Sequence, residues 1–353
     1  MSDQIQCCVA GINGYVGQVL LKLIASHPNL AVSAILAKEP LSLNNPACQG
    51  VPVYSLNQFK EVADSMDVLL LATPADVSIE VVDQLKDSNL SIIDLSGAFR
   101  LSTDQLQQWY GLSHQLSHLN KGAPYGLSPY LKPQLGQTKL IANPGCYATG
   151  ALLTLLPLLQ NNIIDPQSII IDAKSGVSGA GRKAKSDLMF CEIADNFMPY
   201  KVGKHQHLPE MKKCLSDLTG NDCQMTFVTQ LIPIKSGIAM TIYCQANQKW
   251  IKDTLIAQVI NEVFQQAYQD YPLLQFGQLN QGDDTFDKSL LSLNSVVNSP
   301  NIQIGFYIEK GTLCFFTCLD NLWKGAASQA IENINTLYQL PVNTGLHYYQ
   351  GGL

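Results

Sequence analysis

The chain has 353 residues, 46% of them hydrophobic and 14% charged, with a formal net charge of −6. Such a length suits two domains rather than one, and this composition supports a large core and excludes a disordered chain. The negative balance offers nothing to a phosphate backbone, which excludes nucleic acid as a partner; a small anionic substrate needs only a local basic pocket.

No apolar run approaches the ~18–20 residues of a membrane span, so no membrane association is expected. The run at 151–159 is broken by Thr154 and Pro157. The start Met1-Ser2-Asp3-Gln4 has no basic region leading into an apolar stretch. A signal peptide is not expected, and the expected location is the cytoplasm. Ten cysteines occur. Most, such as Cys7, Cys8, Cys244, Cys314 and Cys318, lie in apolar runs, where reduced cysteine packs as a small hydrophobe. There is no Cys-x-x-Cys pair, and no metal site is expected.

The first 145 residues alternate apolar strands with helical patterns. Strands are expected at Ile5–Ala10, 31–36, 68–72, 92–95 and Leu140–Ala142, with helices at Tyr15–Ser26 and 77–85. Apolar strands without polar alternation, separated by helices, indicate a parallel sheet covered on both faces: a doubly wound α/β domain. After a helix at 147–160, strands dominate, at 169–173, 227–232, 238–244, 302–308 and 313–318. A helix is expected at 250–268 and a last one at 326–337. Fewer crossovers indicate a mixed or antiparallel sheet, and so an α+β second domain.

Gly11-Ile-Asn13-Gly14-Tyr15-Val16-Gly17 follows the first strand and opens the first helix. The spacing is a variant of the dinucleotide fingerprint. Its glycines let the backbone approach a pyrophosphate, which then meets amides at the helix N-terminus. At the end of the second strand an NAD site places Asp or Glu. Here the strand runs out at Ala37-Lys38. Lys38 can pair with a 2′-phosphate, which favours NADP(H).

In Asn143-Pro-Gly-Cys146-Tyr-Ala-Thr-Gly150 a strand ends, Pro-Gly turns the chain, and Cys146 opens a helix. Amides and the helix dipole there favour the thiolate and make it a nucleophile. A base is found in Lys204-His205-Gln-His207-Leu-Pro-Glu210, where Glu210 can orient an imidazole. His114 and His118 look like loop residues, His27 like a helix terminus, and His347 lies near the tail. The segment Ser175-Gly-Val-Ser178-Gly179-Ala-Gly-Arg182 combines amides, hydroxyls and a cation into an anion-binding loop. A nicotinamide site, an activated cysteine and an anion loop point to one reaction class. The thiolate displaces phosphate from an acyl phosphate, and hydride reduces the thioester to an aldehyde.

These segments resemble the N-acetyl-gamma-glutamyl-phosphate reductases of arginine biosynthesis over nearly the whole chain. The resemblance also covers Asp94-Leu-Ser96, Asp320-Asn-Leu-Trp-Lys-Gly-Ala-Ala327 and Asn343-Thr-Gly-Leu346. It implies a Rossmann-type domain over 1–145 plus about 322–353. A catalytic and oligomerisation domain of the semialdehyde dehydrogenase type is implied over 146–321. It further implies NADPH as reductant, an acyl phosphate and inorganic phosphate as small-molecule partners, and a homodimer or homotetramer. Expected cofactor-binding residues are Gly11, Asn13, Gly14, Tyr15, Val16, Gly17, Lys38, Thr73, Pro74 and Ser96. Expected catalytic residues are Cys146 with His207 or His205, His207 being favoured. Expected substrate-binding residues are Asn143, Ser175, Ser178, Gly179, Arg182, Glu210 and Lys235. Alternatives are a semialdehyde dehydrogenase acting on aspartyl or aminoadipyl phosphate, or a nucleotide-binding relative that has lost catalysis.

The chain departs from the resembled pattern in three places. The family reads Asp-Leu-Ser-Ala-Asp-Phe-Arg where this chain has Gly97-Ala98 before Phe99-Arg100. Tyr-Gly-Leu-Pro-Glu becomes Tyr125-Gly-Leu-Ser128-Pro129. His and Arg of the His-Leu-x-Pro-x-x-Arg-Gly segment become Gln230 and Ser236, and Lys235 stands one residue before the lost Arg.

Overall fold

A computed structural model describes residues 4–37, 48–114, 116, 123–132, 137–251, 254–279 and 291–346. Lys38, His118 and His347 lie outside the described residues. The chain forms two compact units. One runs to Gly145 and resumes at Ala326; the other runs from Cys146 to Gly325.

In the first unit, β1 (Ile5–Ala10), β2 (Leu30–Leu36), β3 (Val53–Tyr54), β4 (Val68–Leu71), β5 (Ser91–Asp94) and β6 (Leu140–Ala142) form one sheet. Its order is β3-β2-β1-β4-β5-β6, with every pairing parallel. That is the doubly wound order, with the direction of winding reversing between β1 and β4. Every residue of β4 and β5 is buried, which explains the unbroken apolar character of β4; β5 carries polar Ser91 and Asp94 at its two ends. Helices α1 (Tyr15–Ser26), α2 (Leu56–Val62), α3 (Ala75–Leu85) and α4 (Thr103–Tyr110) complete the crossovers. Sequence periodicity did not expose α2 or α4. Both begin with capping boxes, Ser55 with Gln58 and Ser102 with Gln105, and this signal marks such short helices better than their apolar faces do.

In the second unit, β7 (Ile169–Ser175), β8 (Met198–Pro199), β9 (Met225–Leu231), β10 (Ile238–Gln245), β11 (Leu274–Gln278), β12 (Ile302–Glu309) and β13 (Thr312–Leu319) form a mixed sheet. Its order is β11-β12-β13-β10-β7-β9-β8, and β7/β9 and β11/β12 are its parallel pairs. Helix α5 (Cys146–Gln160) is buried along its length from Tyr147 to Leu159, as its apolar circumference requires. A Cβ on Gly150 would come within 2.3 Å of the Met240 side chain, so the glycine lets α5 lie close on the sheet. Helices α6 (His207–Thr219) and α7 (Ile256–Tyr268) follow. The opposite sheet face carries Ile170 and Tyr243, 46% and 38% exposed.

The helix expected at 250–268 is shorter. Trp250 closes a turn onto Asn247 and its indole donates to the Asn162 carbonyl at 3.2 Å, which holds it outside the helix. Ile251 is exposed rather than part of a buried stripe, and the helix begins at Ile256.

The chain returns to the first unit through a π-helical turn, Trp323–Ala327, and α8 (Ser328–Leu337). Helix α8 buries several polar side chains that find partners. Glu332 accepts from Ser128 at 2.5 Å, Gln329 donates to the Gly126 carbonyl, and Asn335 meets His27 at 3.0 Å.

Candidate functional site

The glycine loop requires glycine at two positions. Gly11 has φ +80°, and a Cβ there would lie 2.1 Å from the Ala72 carbonyl oxygen; at Gly17 a Cβ would lie 2.3 Å from the Gly11 carbonyl oxygen. The loop is thereby pressed against the strand ends. Gly11, Asn13, Thr73 and Pro74 line a cavity of about 650 Å³ together with Leu36 and Asn57. The cavity opens at the C-terminal ends of β1, β2 and β4, where a doubly wound sheet takes a dinucleotide. Gly14 caps α1 through its backbone, no side chain caps that end, and Tyr15 and Val16 open the helix. Anionic groups suit such an end. Thr73 bonds Ser78 at 2.8 Å. Ser96 is not among the lining residues; its hydroxyl donates to the buried Asp94 carboxylate at 2.9 Å. Burial raises the Asp94 pKa, with the Ser96 bonds and Arg100 opposing it.

Asn143 precedes the cysteine turn and its polar groups are engaged within the first unit. Its side-chain oxygen accepts from Asn333 at 2.9 Å, its amide donates to the Ala326 carbonyl at 3.2 Å, and its own carbonyl accepts from Arg100 at 2.7 Å. The residue therefore shapes the turn.

Cys146 is the first residue of α5 and is half-buried, unlike the buried Cys7, Cys8, Cys244 and Cys314. Gly325 backs it: a Cβ there would lie 2.6 Å from the Cys146 Cβ. The Gly325 amide donates to the Asp320 carbonyl at 2.8 Å, and the Asp320 carboxylate caps the amides of Leu322 and Trp323. Lys324 is fully buried; its ammonium donates to the Tyr271 hydroxyl and lies 4.8 Å from that ring's centre. A lysine so buried needs such a partner.

The next residue along α5 is Tyr147, whose hydroxyl pairs with that of Tyr200 at 2.7 Å. Burial raises both phenol pKa values. The rings of His205 and His207 stand edge-on to Tyr147, with centres 5.2 and 5.9 Å away, and lie 4.7 Å from each other. His205 is buried, and its Nδ1 accepts from the His207 amide at 3.1 Å. Burial, with help from His207 and Lys201 and against Glu210, pushes its pKa down to about 2. His205 is thus a neutral, fixed imidazole. His207 opens α6, and Glu210 lies buried in the first turn of that helix.

The glycine–serine loop is stitched to the segment after β9. Amides of Gly176, Val177 and Ser178 donate to the carbonyls of Gly237, Ile234 and Lys235 at 2.9, 3.0 and 2.9 Å. Gly176 has no room for a side chain: a Cβ would meet the Lys235 backbone at 2.8 Å. Ser175 donates to the Gly176 carbonyl. The Ser178 hydroxyl pairs with Ser236 at 3.0 Å and accepts from Asn321 at 3.0 Å, while Asn321 takes the Gly237 amide at 2.7 Å. Gly179 has ordinary space around it. Arg182 and Lys235 are both exposed. The structure therefore brings Cys146, Tyr147, His205 and His207 into one neighbourhood, and the Ser178 hydroxyl is engaged inside the loop.

Tyr200 carries no sequence signal, and Asn321 and Gly325 stand in the resembled segment 320–327 with no role assigned by pattern. Tyr200 is 53 positions from its partner, and no spacing rule links them. Among the described residues, no group of His, Cys, Asp and Glu could hold a metal, and no helix is long and apolar enough to cross a membrane.

Residues 6–138 match the semialdehyde dehydrogenase NAD-binding domain, and 146–321 match the semialdehyde dehydrogenase dimerisation domain. The N-acetyl-gamma-glutamyl-phosphate reductase of Caldicellulosiruptor saccharolyticus is 36% identical over 97% of this chain and 98% of its own length. That of Bacillus anthracis is 34% identical over 98% and 99%. A probable aspartate-semialdehyde dehydrogenase from Pseudomonas aeruginosa shares the fold, with TM-score 0.68 and 17% identity over 96% of this chain and 99% of that one. The aspartate semialdehyde dehydrogenase of Candida albicans does so with TM-score 0.63 and 16% identity over 97% and 100%. Motifs, fold and full-length likeness agree: the chain belongs to the N-acetyl-gamma-glutamyl-phosphate reductase family, within the semialdehyde dehydrogenases.

Proposed function

We propose that this chain uses NADPH to reduce N-acetyl-gamma-glutamyl phosphate to N-acetylglutamate 5-semialdehyde, releasing phosphate, in cytoplasmic arginine biosynthesis. The observation that carries the reading is Cys146. It heads a buried helix, is backed by Gly325, and is followed by the tyrosine of the histidine cluster. The likeness to named reductases supplies the substrate.

The helix N-terminus favours the Cys146 thiolate. The sulfur bonds to the acyl carbon, the bond from that carbon to the phosphate oxygen breaks, and a thioester remains. We assign the proton transfer to His207, which takes the thiol proton and passes it to the departing phosphate. His205 is less suited, because its Nδ1 is occupied and burial keeps it neutral. A nicotinamide cofactor supplies the hydride that reduces the thioester. The carbon–sulfur bond then breaks, the aldehyde leaves, and a solvent proton restores the thiol. The cavity beside Gly11, and the close approach that only glycine permits there, fit the pyrophosphate of such a cofactor. NADPH rather than NADH is favoured by Lys38, where an NAD site keeps an acid. Arg182 and Lys235 are exposed cations of the glycine–serine region and suit the substrate's carboxylate. The open sheet face with Ile170 and Tyr243 suits contact with a second copy in a homodimer or homotetramer.

The test runs the reaction in reverse: NADP and phosphate with N-acetylglutamate semialdehyde, then with aspartate semialdehyde, following reduced-cofactor absorbance. Preference for the acetylated substrate supports the reading. Preference for aspartate semialdehyde, or no turnover with either, overturns it.

A further inference from the structure

Lys86, Lys174 and Lys213 each pair with an aspartate. No carboxylate among the described residues pairs with Lys201; its ammonium donates to the neutral Gln206 side chain at 2.6 Å. An ammonium has three donors, so two remain for another acceptor.

Its setting is built. Lys201 has φ +46°, a left-handed backbone that a non-glycine residue adopts at a cost. The turn is closed by the Lys204 amide donating to the Lys201 carbonyl at 2.9 Å. The preceding residue, Tyr200, is pinned to β9: its amide donates to the Thr229 carbonyl at 3.0 Å, and the Thr229 hydroxyl donates to its own carbonyl at 2.7 Å. The Tyr200 hydroxyl meets Tyr147, the neighbour of Cys146. Gln206, which holds the ammonium, stands between His205 and His207. Two chains of contact thus hold Lys201 in the neighbourhood of the thiol, one through the tyrosine pair and one through Gln206. Lys201 is exposed at its surface side; the packing around its stem and the nearby Lys185 disfavour its charge, while Cys146 opposes them. Two cations that repel each other suit an incoming anion.

We propose that Lys201 binds the phosphoryl group at the thiol site, holding the acyl phosphate in one direction and inorganic phosphate in the other. This rests on the reading of Cys146 as nucleophile. Chemistry selects the phosphoryl group over the substrate's carboxylate. The leaving phosphate is attached to the carbon that sulfur attacks, whereas the carboxylate sits several carbons away. A cation that follows Tyr200, whose hydroxyl meets the neighbour of Cys146, and that is held by Gln206 between the two histidines is placed for the former.

Two measurements test this. In the reverse assay, Lys201→Met and Lys201→Gln should raise the KM for phosphate about 10- to 100-fold, as expected for a lost charged hydrogen bond. The KM for the semialdehyde should stay within about twofold, and Lys201→Arg should recover part of the phosphate affinity. An unchanged phosphate KM, or a rise confined to the semialdehyde, overturns the assignment. The second readout needs no turnover. Iodoacetamide labelling is followed at the Cys146 peptide by mass spectrometry, with inorganic phosphate as the probe. Phosphate should slow labelling in the unsubstituted protein and much less in Lys201→Met. Equal protection in both, or none in either, overturns the proposal. If phosphate protects but the wild-type assay shows no reduction, the proposed reaction fails while the phosphate site stands.

Discussion

Gly325 lies against Cys146 so closely that a Cβ at position 325 would come within 2.6 Å of the cysteine Cβ and 3.0 Å of its Cα. The glycine sits in the π-helical turn, which Asp320 and the buried Lys324 hold in place. The first residue of α5 therefore has a rigid wall behind it. Rigid support matters because misplacing a reacting group by ~1 Å can cost about 100-fold in rate. Gly325→Ala should lower kcat by roughly that factor. Titration with NADPH should be unaffected, since Gly11 and its cavity belong to the other unit. Steady-state kinetics at full turnover in this variant would dismiss the wall as incidental.

His205 gives a pH dependence of stability. Its pKa falls from the ordinary 6.5 to about 2 in the folded chain, mainly through burial. Between those values the unfolded chain binds a proton that the folded chain refuses. Stability from this group is thus complete above about 6.5 and is lost as the pH falls towards 2. His205→Asn keeps an acceptor near the His207 amide without the titration. Denaturant unfolding at pH 7 and pH 5 should show a larger loss for the unsubstituted protein than for the variant. Equal losses would mean that the imidazole charges readily in place.

Helix α5 contains Pro157, which has no N–H for the carbonyl four residues earlier. The Tyr268 hydroxyl, on α7, donates to that Leu153 carbonyl at 2.6 Å. Proline is tolerated in this buried helix because another element satisfies the freed acceptor. Tyr268→Phe keeps the ring and strands the carbonyl, so it should cost about 1–3 kcal/mol. Chemical denaturation measures it; a change below ~0.5 kcal/mol would mean that the acceptor finds another donor.

What was legible in the sequence followed physical periodicity. The parallel sheet announced itself through unbroken apolar strands, and the glycine loop through spacing that the Gly11 and Gly17 contacts explain. Cys146 stood out because a Pro-Gly turn set it apart from cysteines inside strands. Helix α6 was hidden, since its first turn holds His207 and Pro209 rather than an apolar stripe. The Gly97 departure was visible but unexplained until Tyr110 appeared beside it: a Cβ at 97 would meet that hydroxyl at 2.0 Å. Likewise Ser236, standing where the family carries Arg, pairs with Ser178. Such pairings join positions far apart in the chain, and local pattern carries no trace of them.

The two anionic ends of the substrate need separate cations. If Lys201 takes the phosphoryl group, the carboxylate needs another cation. Lys235 is exposed, and its carbonyl is fixed by the Ser178 amide at 2.9 Å, so the side chain departs from an anchored backbone. Arg182 is another exposed cation of the same loop region, next to the exposed Lys183. A single ammonium contact is worth roughly 1.5–3 kcal/mol when it binds a charged acceptor. Lys235→Ala should therefore raise the semialdehyde KM about tenfold or more and leave the phosphate KM unchanged, the reverse of the pattern expected for Lys201. Ser236→Arg should lower the semialdehyde KM, while destabilising the loop because Ser178 loses its hydroxyl partner. Unchanged kinetic constants in Lys235→Ala would place that side chain in solvent. The carboxylate would then fall to Arg182, which Arg182→Ala tests by the same measurement of the semialdehyde KM.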